Sequence, residues 1–213
     1  MHETFRLLLA GILLLAPLPV QTGLQVAPFS SIELPGGGHV VLQRAPTQRV
    51  TLVRGSLDYT RLAVADGGRL VIDKCFRKCP SGYRLELEIL TPGAAGISLA
   101  NGGSIQTRGS FPRQSELAVA VSHGGIIDVR SMVVDRVTAS VDQGGRILTV
   151  PQASLLARVH QGGVITYWGN AQVRQTVEHG GVVSRGSADE ISLPLSDIGP
   201  QLLHPIRKHG SGR

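Results

Sequence analysis

Aromatic side chains are scarce in this chain: Phe, Tyr and Trp make up 4% of its 213 residues, and only one is a Trp. The many Arg residues therefore have no interleaved rings on which bases could stack, which argues against a nucleic-acid surface. The single Trp168 also leaves little for a sugar platform. Cysteine is rarer still, at two. A zinc site built on Cys75 and Cys79 would need two more ligands, and their spacing is not the Cys-x-x-Cys of a redox pair. No Cys stands directly after the N-terminal apolar run, so a bacterial lipoprotein anchor is not expected. No later segment is long and apolar enough to span a bilayer, and no long helical pattern is present.

What remains is Gly, at 27 residues, together with Val, Ile, Leu and Ala, a composition suited to strands packed in thin layers. Residues 1–22 read as a secretory signal: Arg6 supplies the positive start, Leu7 to Leu15 the apolar run, and Pro17 and Pro19 end it. Cleavage is expected after Thr22 or after Ala16. In an oxidising compartment Cys75 and Cys79, set in a turn-rich linker, are expected to form a local disulfide. The formal charge of +6 is carried mostly by Arg, and it favours anionic envelope polymers such as acidic glycans or lipopolysaccharide.

The organisation emerges from a repeat. Gly-Gly pairs begin at Gly102, Gly124, Gly144, Gly162 and Gly180, at intervals of 22, 20, 18 and 18 residues. Three residues before each pair stand Leu99, Val121, Val141, Val159 and Val177; three after the first Gly stand Ile105, Ile127, Ile147, Ile165 and Val183. Seven before it come Ala95, Leu117, Val137, Leu155 and Val173. A repeat this short cannot bury its own apolar side chains. Stacking copies ~4.8 Å apart joins each column into a ladder and lets neighbouring coils share backbone hydrogen bonds. The alternation Leu117, Val119, Val121 has period 2, so the ladders are strands, and the Gly pairs are their corners. The fold class expected is all-β: a right-handed parallel β-helix of about five 18–22-residue coils, preceded by an irregular β capping region. The expected boundaries are 24–92 for the N-terminal β region and 93–190 for the coils, continuous as one domain. Ile191 to Ile198 would close the last coil, and 199–213 would form a disordered basic tail.

The glycine turn and apolar strand Gly67-Gly68-Arg69-Leu70-Val71-Ile72, the strand ending in Thr91-Pro92, and the repeated Gly-Gly-x-Ile motifs resemble one family. It is the putative auto-transporter adhesin head GIN domain family, and the likeness covers roughly residues 27–190. The family's turns usually read Ser-Gly-x-Gly; here they are His-Gly-Gly, Gln-Gly-Gly or Asn-Gly-Gly. The resemblance implies an exported β-helical envelope protein, periplasmic or at the surface, with no catalytic residues.

Candidate chemistry lies beside the corners. The residue before each pair is polar, namely Asn101, His123, Gln143, Gln161 and His179, and period-2 parity points it inward as a hydrogen-bonding ladder. His123 and His179 share that column, but three coils hold them ~14 Å apart, so no metal site is expected. One residue earlier stand Ala100, Ser122, Asp142, His160 and Glu178. Asp142 falls between Ser122 and His160, the wrong order for a triad. The expected role is a charge-complementary ladder; the enzyme alternative is polysaccharide hydrolysis by Asp142, His160 and Glu178. The function expected is a non-catalytic envelope scaffold binding a polymer or protein partner without a cofactor. Arg130, Arg146 and Arg185, which follow the corners, are the candidate binding residues.

Overall fold

The computed structural model describes residues 23–195; the expected export segment 1–22 and the expected tail 199–213 lie outside the described residues. The strands are, in chain order, β1 (Gly23–Leu24), β2 (Ser31–Leu34), β3 (His39–Arg44), β4 (Arg49–Arg54), β5 (Thr60–Ala65), β6 (Arg69–Lys74), β7 (Glu86–Thr91) and β8 (Gly96–Ala100). They continue with β9 (Ser104–Arg108), β10 (Gln114–Ser122), β11 (Ile126–Asp128), β12 (Val134–Asp142), β13 (Arg146–Thr149), β14 (Pro151–His160), β15 (Val164–Tyr167), β16 (Gln172–Glu178) and β17 (Val182–Arg185). They form two sheets, ordered β1-β4-β7-β3-β9-β11-β13-β15-β17 and β16-β14-β12-β10-β8-β2-β6-β5.

From β8 onward the chain alternates between the sheets, turning at each Gly pair and returning one rung higher. Each strand pairs in parallel with its counterpart in the next coil. The register sets Leu99, Val121, Val141, Val159 and Val177 opposite one another, and likewise Ile105, Ile127, Ile147, Ile165 and Val183. The molecule is thus the parallel β-solenoid that the aliphatic columns imply. Its turns number about four rather than five, because five corners enclose four complete intervals. Val121, Val141 and Val159 are buried to 2% or less, and Ile127, Ile147 and Ile165 are wholly inaccessible. Burying a side chain of this size contributes about 1.5–3 kcal/mol, and the ladders repeat that contribution on every rung. One column member departs: Ala95 is exposed and its neighbour Ala94 fills the core instead.

The N-terminal part is more regular than its sequence suggests. β2 lies between β6 and β8 in one sheet, and β3 lies between β7 and β9 in the other, all in parallel. The β6–β7 and β2–β3 segments are therefore two further rungs under the repeat, laid down in an order that is not the chain's. Only the outer additions are antiparallel: β4 on β7, β1 on β4, and β5 on β6. The Cys75–Cys79 disulfide closes the connection between β6 and β7.

Two expectations are corrected. Asn101, His123, Gln143, Gln161 and His179 point outward, not inward, and all are exposed. Their φ values run from 53° to 60°, in the left-handed region, and that reversal breaks the period-2 parity on which the inward expectation rested. Residues 191–195 do not close the last coil. Asp189–Ser192 forms a short 3-10 turn, and Leu195, like Val150, packs against Leu148 and Trp168 on the outer side of the nine-stranded sheet. Residues 196–198 lie outside the described residues.

Candidate functional site

Alternation decides what the eight-stranded sheet shows to solvent. With Leu117, Val119 and Val121 inside, Ala118, Ala120 and Ser122 face out; on β12 the outward set is Thr138, Ser140 and Asp142. Across β8, β10 and β12 these side chains are small, and Ser98, Ala120 and Ser140 pave the floor of a shallow groove. One end of the groove is marked by the Arg69–Glu33 pair at 2.9 Å. Beyond Ser140 the same outward column continues to Arg158, and beside it Leu156 leads to Arg174. Both arginines are exposed and have no ion-pair partner among the described residues.

At the corner edge of this face lies the polar column. Ser122, Asp142, His160 and Glu178 are in register on successive rungs. His160 Nδ1 lies 3.0 Å from Asp142 Oδ1, and both side chains are about half exposed, at 46% and 50%. The His160 and His179 rings meet edge to face with centroids 5.3 Å apart. The ligating atoms of His160, Glu178 and His179 all lie within 4.8 Å of one another. Such a set could hold a metal ion, and the sequence reading missed it. Histidines of a single column stand three coils apart, whereas this set joins two adjacent columns on two adjacent rungs.

The three arginines singled out in the sequence lie on the nine-stranded side and differ in their surroundings. Arg130 is nearly buried, with 9% of its side chain exposed. It donates from Nε and Nη2 to the Asp128 carboxylate, and from Nη1 and Nη2 to the carbonyls of Glu190, Ile191 and Leu193. Its guanidinium also stacks 5.6 Å from the Trp168 ring centroid. Arg130 is therefore occupied in holding the 189–195 segment to the sheet. Arg146 is half-buried on β13. Arg185 is exposed and donates to the Gly169 carbonyl and the Asn170 side chain.

The fold and surface together define a class: a two-sheeted parallel β-solenoid with a polar, shallow outer face. Residues 78–171 match the model of the family described as putative auto-transporter adhesin, head GIN domain, which bears out the resemblance read from the motifs. No curated protein matches the chain. Among solved structures, a putative adhesin from Bacteroides fragilis is similar over 78% of this chain and 96% of its own, with a TM-score of 0.50 and 14% identity. A putative adhesin from Parabacteroides distasonis (TM-score 0.47, 13% identity) covers the same shares, 78% and 96%. A putative lipid binding protein from Parabacteroides distasonis does too, at 78% and 96%, with a TM-score of 0.42 and 11% identity. At these identities the likeness is one of fold. No helix among the described residues is long and apolar enough to cross a membrane.

Proposed function

We propose that this adhesin-like β-helical protein is an exported, non-catalytic cell-envelope scaffold that binds an extended polymer along the outer face of its eight-stranded sheet. The observation that carries this reading is the groove floored by Ser98, Ala120 and Ser140 and continued by Arg158 and Arg174, which have no ion-pair partner among the described residues. Small side chains on a backbone held by shared strand hydrogen bonds leave room for a chain laid across the rungs. The net charge of +6 then draws anionic polymers to it, as its sequence suggests. Arg146 and Arg185 are the second candidate strip, on the opposite sheet.

The test is binding of labelled lipopolysaccharide and acidic glycans to the mature protein at low and physiological salt. Affinity should fall as the screening length shortens to ~8 Å. It should fall further in Arg158→Glu/Arg174→Glu and stay unchanged in Arg146→Glu/Arg185→Glu. Salt-independent binding, or loss only in the second variant, overturns the assignment to this face. The same polymers should emerge uncleaved; turnover abolished by Asp142→Asn would favour the hydrolase alternative. Export is checked by mass spectrometry of the native N-terminus, expected near residue 22.

A further inference from the structure

The corner between the last two rungs holds a group of side chains that neither polymer binding nor packing uses. His160 ends β14, Glu178 ends β16 in register with it, and His179 follows at the left-handed corner position with φ 53°. The backbone there is fixed from three directions. Parallel pairing sets the spacing of β14 and β16, the Gln161 N–H donates to the Glu178 carbonyl at 3.1 Å, and the Gly162 N–H to the Gly180 carbonyl at 3.1 Å. The side chains are not consumed by this framework. The Glu178 carboxylate has no hydrogen-bond or ion-pair partner among the described residues, and the His179 ring meets the His160 ring edge to face.

From this placement we propose that His160, Glu178 and His179 form a binding site for a borderline divalent transition metal of the zinc class. Two imidazoles and a carboxylate are a donor set suited to zinc rather than to calcium or magnesium, which favour oxygen ligands alone. Their ligating atoms already lie within 4.8 Å of one another. Tetrahedral zinc with bonds of about 2.0–2.1 Å requires only a modest inward rotation of exposed side chains. The bond between His160 Nδ1 and Asp142 supplies the second element of such a site. With Nδ1–H donated to the carboxylate, the ring is oriented and its Nε2 is left as the ligating nitrogen, the carboxylate–histidine–metal arrangement. Three protein ligands leave a position open, so the bound ion could take a further ligand from solvent or from a partner. It would also tie β16, the edge strand, to β14.

The experiment is zinc titration of the untagged full chain by calorimetry, with melting curves in zinc and in chelator. Saturable binding of one ion at this site is expected, with a melting temperature raised by zinc and unchanged by calcium. Glu178→Gln and His179→Gln should each abolish the tightest binding and the thermal shift, while melting in chelator like the parent. Asp142→Asn should weaken binding by roughly 10- to 100-fold, because it misorients the ligand without removing it. His123→Gln, in the same column three rungs away, should bind as the parent does. Tight binding that survives the His160→Gln/His179→Gln double variant, equal binding of calcium, or no saturation at millimolar zinc would each overturn the proposal. These outcomes are independent of whether the groove binds a glycan.

Discussion

The two glycines of a corner face different demands. At Gly144 φ is 85° and an added Cβ would meet nothing within 4 Å, so only the backbone conformation resists substitution. At Gly145 φ is 110°, and a Cβ would also run into Val121 Cγ1 and the Gly125 carbonyl of the rung below. Gly144→Ala should therefore cost about 1–2 kcal/mol, the left-handed penalty alone. Gly145→Ala should cost about 3 kcal/mol or more, since overpacking adds to it. Urea unfolding of both variants checks this; equal losses would mean that close packing of rungs at the corner is not what the second glycine serves. The need for a corner was legible in the Gly-Gly spacing. The turning of Asn101 and His123 outward was not, because strand parity holds only while φ stays negative, and three successive residues here have it positive.

At the scale of elements, the aliphatic columns were legible because one spacing rule repeats in every coil. Val141 sits in the central ladder at 2% exposure, whereas Asp135 is a surface residue paired with Arg113. Val141→Asp should lose about 3 kcal/mol or more, and Asp135→Ala at most about 1 kcal/mol, by equilibrium denaturation. The 189–195 segment was not legible: Arg130 reads in sequence like any other surface arginine, and its partners Asp128, Trp168 and Glu190 are as far as 60 residues away. Removing one member of a buried pair leaves the other uncompensated, so Arg130→Ala should destabilise by about 3–5 kcal/mol. Trp168 Nε1 donates to the Ser187 carbonyl at 2.7 Å, and the ring is 3% exposed. As it is the chain's one Trp, a red shift of fluorescence in Arg130→Ala will report release of the segment. The rungs β6–β7 and β2–β3 escaped the sequence for another reason: their spatial order is not their chain order, so no fixed interval marks them.

Across the whole molecule the two ends of the stack differ. One is finished by the antiparallel strands β1, β4 and β5; at the other, Val177 is 41% exposed and the core-facing position after Val119, Ala139 and Ala157 is taken by Gln175. Hydrogen exchange should therefore be slowest in β10 to β13 and fastest in β16 and β17, where no further rung among the described residues shares the load. The Cys75–Cys79 loop spans a separation of only 4 residues, so reduction should cost no more than ~2–3 kcal/mol and leave exchange in the coils unchanged. The 18-residue interval between Gly144 and Gly162 repeats between Gly162 and Gly180, with equivalent positions in register from rung to rung. Length is thus a quantised trait of this molecule: an in-frame copy of residues 145–162 adds one storey of ~4.8 Å without asking any other residue to change. Duplication or deletion of this unit alone therefore changes how far the two ends of the stack stand apart, while the end rungs keep their original finish.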